Sequence, residues 1–365
     1  MEDAARILRL GLNAWPGVGP HRMRRIAEAV GGAWERLPDA WEAVWAATAR
    51  GAEPAPPLAT LRALGEEQER ARRNLGARLL LPGDAAWPAA LDPLDHPPPL
   101  LFVLGAADAL TDAAWRVAVI GARACTPYGR EQAARFGAGF AAAGATVVSG
   151  AARGIDQCAM QGALGAGGRV VAVLGAGLDR PYPSSAEPVL EACAEGGGAA
   201  VSEFAFGTEP RAGNFPRRNR ILAGLAAATV VIQATRRSGS MNTVAWALSL
   251  GREVWALPGP VDSAASQGAH LLLRDGAQLA EGPLEVLRGL EQRASAEEMG
   301  KDSPLLEALG RRDASLAELA AELEQGEERV LLELLELELR GRVLRQPSGL
   351  YHRCGPAPRA SGARA

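Results

Sequence analysis

Lysine is almost missing from this chain: Lys301 is the only one among 39 basic residues in 365. That excludes a Walker A lysine, a Schiff-base lysine before residue 301 and a lysine general base, and several enzyme classes with them. Cysteine is scarce too. Cys125, Cys158, Cys193 and Cys354 stand too far apart for a CxxC metal or redox pair, so a reduced, cytoplasmic setting is expected. The four histidines, His21, His96, His270 and His352, fall in separate regions with no HExxH or GxSxG pattern, and read as structural or exposed. No window approaches about 18 uncharged apolar residues, which removes a membrane span, and the acidic, arginine-interrupted start MEDAARILRL is not a signal peptide. Charge of one sign is also lacking. With 39 basic against 42 acidic residues and a net charge of -3, a uniformly basic nucleic-acid binder is excluded, so any polyanion site must be local.

What is present is globular: 48% apolar and 22% charged residues, long enough for two or three domains. Residues 1–75 read as short helices broken by PGVGP and GAEPAPP, a small helical N-terminal domain. Residues 76–290 read as a second domain. It opens with LLLPGD, a Pro-rich stretch and LLFVLG as an extended approach, then alternates apolar runs with helical patterns. The runs at 117–120, 146–149, 170–174, 199–203, 229–233 and 253–257 are continuous and β-rich, as strands buried on both faces are. Helices are expected at 129–143, 155–165, 184–195, 218–227 and 240–250. This alternation predicts an α/β fold, an extended Rossmann-like doubly wound parallel sheet. Residues 291–303 read as a polar linker. Residues 304–354 predict three helices and a hairpin, the outline of a winged helix, and 355–365 a disordered tail.

In such a sheet ligands sit beyond the carboxyl ends of the strands. Four loops there are glycine-rich: Gly121-Ala122-Arg123, the segment from Ser149 and Gly150 to Arg153, Gly154 and Asp156, Gly175-Ala176-Gly177, and Ser238-Gly239-Ser240. One such loop could be a tight turn alone, but four at one edge, two with arginine, favour a phosphate-binding edge. The first loop lacks GxGxxG and the second run ends without a ribose-binding acid, so no dinucleotide cofactor is expected. The densest positive segment runs from Arg211 through Phe215, Arg217, Arg218 and Asn219 to Arg220. Arginine paired with an aromatic suits single strands, and cations at a helix start oppose its dipole unless an anion is near. Asp156 reads as a helix first-turn acid; for Glu203 the sequence does not decide. Pro16-Gly17-Val18-Gly19-Pro20 fits either a helix-hairpin-helix turn, whose N–H groups can hold phosphate, or a plain helical turn. Over residues 304–354 seven arginines face ten acids, which argues against the major groove and for a protein-contacting module.

The segments IGARACTPYGR, SGAARGID, VLGAGLDRPYP, GNFPRRNRILAGL, RRSGSMNT and LPGP…QGAHLLLRDGA resemble the DNA-processing protein A (DprA/Smf) family, in order, over about 180 residues. The helical N-terminus (helix-hairpin-helix or SAM-like) and the winged helix resemble its longer members. The resemblance implies a non-enzymatic, dimeric binder of single-stranded DNA that helps load a RecA-type recombinase in natural transformation and recombination. A single-strand-binding protein is a further expected partner. It implies strand-binding roles for Arg123, Phe215, Arg217, Arg218, Asn219 and Arg220, and a phosphate- or base-accepting cleft at Ser149, Gly150, Arg153, Gly154, Arg237, Ser238, Gly239 and Ser240. Arg237 stands where some members place lysine. The sequence departs from the usual pattern in SGAARGID, where a leucine commonly precedes the second alanine, and at Asn242; neither removes a charge. The alternative is a nucleotide hydrolase resembling the lysine-decarboxylase-like phosphoribohydrolases. Its PGGxGT loop leads into a helix with a catalytic glutamate, whereas here VAWALSLG carries no acid before Glu253. No cofactor or metal is expected.

Overall fold

The computed structural model describes residues 2–48, 53–112, 115–300, 304–310, 312–339 and 342–354. The expected tail at 355–365 and linker residues 301–303 lie outside these. The chain divides into two units, Met1–Leu290 and Glu291–Ala365.

The first unit opens with helices α1 (Glu2–Ala14), α2 (Pro20–Ala29), α3 (Leu37–Thr48) and α4 (Leu58–Asn74). Leu8 and Leu12 of α1, one turn apart, share a core with Met23, Ile26, Trp41, Trp45 and Leu61. Ile7 and Leu10, on another stripe of α1, pack into the core of the sheet that follows. Gln68 of α4 completes the attachment. Its side-chain amide accepts from the Phe206 N–H at 2.8 Å and donates to the Phe206 carbonyl at 3.3 Å.

Then come β1 (Arg78–Leu80), β2 (Leu101–Gly105), β3 (Arg116–Ile120), α5 (Pro127–Ala142), β4 (Thr146–Ser149), α6 (Ile155–Gly165), β5 (Val170–Val173), α7 (Glu187–Glu195), β6 (Ala199–Ser202), α8 (Asn214–Leu225), β7 (Ala228–Val231), α9 (Ser240–Ser249), β8 (Glu253–Ala256), α10 (Gln267–Arg274) and β9 (Gln278–Leu279). Among the described residues they form one nine-stranded sheet in the order β1-β2-β6-β5-β4-β3-β7-β8-β9. From β6 to β9 every pairing is parallel. The sheet is mostly rather than wholly parallel, because β2 pairs antiparallel with β6 and β1 with β2. The segment expected to be an extended approach is therefore part of the sheet. Alternate strand residues serve opposite faces: Val117 and Val119 join Phe136, Phe140 and Met160 of α5 and α6, while Ala118 and Ile120 join Ile221, Leu222 and Val244 of α8 and α9. Both faces are covered by helices, which is why the strand sequences are apolar without alternation.

Helix α11 (Pro283–Gly300) follows. Residues 291–300, expected as a linker, are helical: the polar run EQRASAEE is a good helix former and contains neither glycine nor proline. The second unit holds α12 (Pro304–Leu309), α13 (Leu316–Glu322), α14 (Glu327–Leu339) and the hairpin β10 (Val343–Arg345) and β11 (Tyr351–Arg353). Ser315 and Glu318 form a capping box at the start of α13, and Leu305, Leu319, Val330, Leu334 and Tyr351 form the unit's core. No helix among the described residues is long and apolar enough to cross a membrane.

Candidate functional site

After β3 the chain turns to one side of the sheet, to β4, β5 and β6; after α8 it returns to the other side of β3, to β7 and β8. Between β3 and β7 the loops diverge, and a crevice opens there at the carboxyl ends of the strands. It holds a cleft of about 770 Å³ whose walls include Arg123, Tyr182, Phe215, Arg218, Asn219, Ser238, Gly239 and Ser240.

The two sides of the switch point are stitched together by Gln233 and Ser240. The buried Gln233 accepts from the Thr126 N–H at 3.1 Å and donates to Thr126 Oγ1 at 2.9 Å, while its carbonyl accepts from the Ala122 N–H at 2.7 Å. Thr126 in turn caps α5 by accepting from the Gly129 N–H. Ser240 Oγ donates to the Gly121 carbonyl at 2.9 Å. Gly154 sits at φ +84°, and a Cβ there would lie 2.5 Å from the Ala122 carbonyl and 2.6 Å from that of Arg123. Only glycine lets the Arg123 peptide pass so close to the start of α6.

Phe215 is half-buried, with the Tyr182 ring centroid 5.8 Å away and the Arg123 guanidinium 5.2 Å from its centre. Tyr182 is 47% exposed and Arg123 is exposed. Two rings and a guanidinium thus meet at the mouth of the cleft, a geometry suited to stacking a flat heterocycle beside an anion. Helices α5, α8 and α9 all start at this edge with no acidic residue in their first turns. Their N-terminal N–H groups make the edge favourable to anions.

Arginine 218 is the cleft's buried cation, 4% exposed, donating from Nη1 to the Gly150 carbonyl at 2.8 Å and to the Val173 carbonyl. Asp156 lies close by. A Cβ on Gly150 would sit 2.5 Å from Arg218 Nη2 and 2.8 Å from Asp156 Oδ2, so a side chain there would push these groups aside. Asp156 accepts from the Gly150 N–H at 3.1 Å and the Ala152 N–H at 3.4 Å. It is thus more than a first-turn acid. Burial raises its carboxyl to about 6 despite Arg218 and those two N–H groups, and burial also lowers Arg218 to about 10.

The remaining arginines of the segment face elsewhere. Arg220, 3% exposed, clamps Glu203 with Nη1–Oε1 and Nη2–Oε2 distances of 2.7 Å, and its Nε donates to the His96 carbonyl at 2.7 Å. Arg217 Nε donates to Glu203 Oε1 at 3.0 Å. Burial alone would push the Glu203 carboxyl up, but Arg220 and Arg217 outweigh it and hold the group below its ordinary value. The role the sequence left undecided for Glu203 is therefore that of an internal counter-ion.

Of the fourteen residues given strand- or cleft-binding roles by the resemblance, seven line the cleft: Arg123, Phe215, Arg218, Asn219, Ser238, Gly239 and Ser240. Arg153 and Arg237 stand exposed on neighbouring loops, and Gly154 shapes the loop beneath Arg123. Ser149 is fully buried with its hydroxyl donating to the Val119 carbonyl; Gly150 and Arg220 are buried and Arg217 is turned to Glu203, so these four do not line it. Tyr182 was missed. Its signal was the aromatic in DRPYP, a loop at the same strand edge.

The family model for DNA recombination-mediator protein A matches residues 78–291. This chain belongs to that family. Among curated relatives, it is 44% identical over 215 residues to a putative DNA processing protein DprA of Mycobacterium tuberculosis, covering 56% of this chain and 55% of that one. It is 39% identical over 287 residues to the protein Smf of Escherichia coli, covering 74% and 76%. The chain spans about half the length of the M. tuberculosis relatives it matches. The structure of DNA processing protein A from Streptococcus pneumoniae superposes with a TM-score of 0.65 at 28% identity, over 78% of this chain and 97% of that one. That of Helicobacter pylori DNA processing protein A, described for its single-stranded DNA binding mode, gives 0.54 at 29% identity over 60% and 98%. The mostly parallel sheet with flanking helices is thus the DNA recombination-mediator protein A fold, and the β3/β7 cleft lies within the matched segment.

Proposed function

We propose that this protein binds single-stranded DNA in the β3/β7 cleft and helps load a RecA-type recombinase on it during DNA uptake and recombination. The observation that carries the reading is the cluster of Phe215, Tyr182 and Arg123 at a strand edge where three helices begin without acid. Rings stack on unpaired bases, and arginine and helix N-termini take the phosphates. Membership of the family and the single-strand binding of the H. pylori relative support the same reading. In it Arg123, Phe215, Asn219 and the 238–240 loop touch the strand, Arg153 and Arg237 extend the positive rim, and Arg218 presents its charge from below. Arg220, Ser149 and Gly150 hold α8 and the loops in place.

The protein acts as a binder rather than an enzyme. Helix α9, which would bear the catalytic glutamate of a phosphoribohydrolase-like site, has the sequence SMNTVAWALS. It works as a homodimer, with the recombinase and a single-strand-binding protein as partners, in the cytoplasm. The N-terminal helices form a SAM-like module. The second unit, with three helices and a hairpin, is a winged helix; its acidic α14 points to a protein partner rather than a duplex.

The test is fluorescence anisotropy of an oligothymidine and the matching duplex, each at two salt concentrations. Tighter binding of the single strand with a steep salt dependence is expected. Equal or absent binding of both would overturn the proposal and turn attention to nucleotide substrates.

A further inference from the structure

The segment from Glu209 to Arg218 is a wall between two clefts. Pro210, Ala212, Phe215 and Arg218 face the first; Glu209, Arg211, Asn214 and Arg217 face a second, of about 380 Å³. The far wall of the second cleft comes from the distant start of the chain, Asn13, Pro16 and Gly17. The loop that the sequence left open between a helix-hairpin-helix turn and a plain turn therefore stands beside the strand-binding edge. Asn13 Nδ2 fixes it there by donating to the Glu203 carbonyl at 3.1 Å.

Three features make this cleft suited to a polyanion. Arg217 is held by Glu203 through Nε and by the Phe204 ring, 4.7 Å from its guanidinium carbon, yet its side chain is 33% exposed. Its Nη groups have no protein partner among the described residues, so they are oriented donors at the cleft surface. Arg211 is exposed and forms no ion pair among the described residues. The carboxylates of the cleft are already matched: Glu203 is buried against Arg220 and Arg217, and Glu209 lies 3.6 Å from Arg180. Opposite them, Gly17 is exposed at φ +81°, with nothing within 4 Å of where a Cβ would be.

We propose that the second cleft is a further phosphate-binding subsite for the same DNA strand, which leaves the first cleft over α8 and passes between Arg211 and Arg217 on one side and the 16–17 loop on the other. This rests on the single-strand reading of the first cleft and extends it onto the N-terminal helices. A long strand then makes contacts that a short one, anchored at Phe215, does not reach.

The experiment compares the full-length protein with its Arg211→Ala and Gly17→Asp variants. Binding is measured to oligothymidines of about six and about 16 nucleotides, within the range of single-strand site sizes, at two salt concentrations. Aspartate tolerates the left-handed backbone at position 17 and places a negative charge in the cleft. Both variants are expected to bind the long oligomer more weakly and the short one as the wild type does. Arg211→Ala should lower the log-log salt slope on the long oligomer by about 0.7, one phosphate contact. Wild-type binding of both lengths by both variants would overturn the subsite while leaving the first cleft standing, and so would equal losses on both lengths. If the wild type binds neither oligomer, the single-strand reading itself falls and the subsite falls with it.

Discussion

Replacing Arg220 by methionine should cost this protein about 3 to 5 kcal/mol of stability, the range for breaking a buried ion pair from one side. The structure sets the mechanism. Glu203 is completely buried, both its oxygens are held by Arg220 at 2.7 Å, and Arg217 supplies a third bond from a partly exposed position. The substitution leaves the carboxylate with Arg217 alone and also deprives the His96 carbonyl of its Arg220 donor. All eight tryptophans lie between residues 15 and 255, so intrinsic fluorescence follows unfolding of the first unit without interference from the second. With an m-value of about 3 kcal/mol/M, the urea midpoint should fall by at least about 1 M with m unchanged. Glu203→Gln should cost a similar amount by stranding Arg220. The double variant should cost clearly less than the two singles together, because no unpaired charge remains. The pH dependence has a definite sign. Glu203 titrates below its ordinary value of 4.5 in the folded state, so its contribution is present above that pH and lost as pH falls through the lowered value. In Arg220→Met this acid limb should shrink. A loss below about 1 kcal/mol in Arg220→Met, or strict additivity in the double variant, would refute the role assigned to the pair.

Removing the ring at Phe215 should weaken single-strand binding by about 1 to 3 kcal/mol, read by anisotropy; normal binding by Phe215→Ala would make the ring a packing element only. Arg123→Ala should reduce the log-log salt slope by about 0.7 and leave the unfolding midpoint unchanged, since Arg123 is exposed. Arg218→Ala should do both kinds of damage, because it strands the buried Asp156 and frees the Gly150 carbonyl; a variant with wild-type stability would contradict its buried placement. Asp156, raised to about 6, faces Arg218, Arg123 and the N–H groups of Gly150 and Ala152. A group shifted upward stabilises fully below its unfolded value of 3.8, and that stabilisation is lost as pH rises through about 6. Protonation also removes a negative charge beneath the cleft. Single-strand affinity should therefore rise as pH falls from about 7.5 to about 5, and a wild-type pH profile in Asp156→Asn would show that another group is responsible.

The parallel strands were legible because a strand buried on both faces needs an unbroken β-branched run, and VAVI, TVVS and VVAVL are such runs. The loops at their carboxyl ends were legible for the same reason: once the strands are placed, the topology assigns the edge. Strands β1 and β2 were not, because their partners are β6 and each other across a Pro-rich stretch, and no local pattern announces an antiparallel addition. The arginine-rich segment was found, but not the division of labour within it. Helical phase turns Phe215 and Arg218 to one side and Asn214 and Arg217 to the other. The Gly150 and Val173 carbonyls that hold Arg218 inside, and the Glu203 carboxylate that holds Arg220, come from other segments, which no short-range reading pairs with them. The Pro16–Pro20 loop could be named from its glycines, yet its neighbours across the second cleft lie almost two hundred residues away.

The order of strands in the sheet also fixes when the cleft can exist. Strand β3 is made early, but its pairing of Val117 with Ala228 must wait for β7. At about 5 to 20 residues per second the interval is about 6 to 20 s, during which one edge of β3 stands open on the nascent chain. The N-terminal helices share a core of their own, whereas the pairing of β3 with β7 is non-local, which makes closure of the sheet the slow event. A chain arrested before Ala228 holds six of the nine strands and the whole arginine-bearing helix, yet lacks one wall of the crevice. The crevice is thus completed late in synthesis, when β7 seats against β3 and the 238–240 loop closes over Gly121.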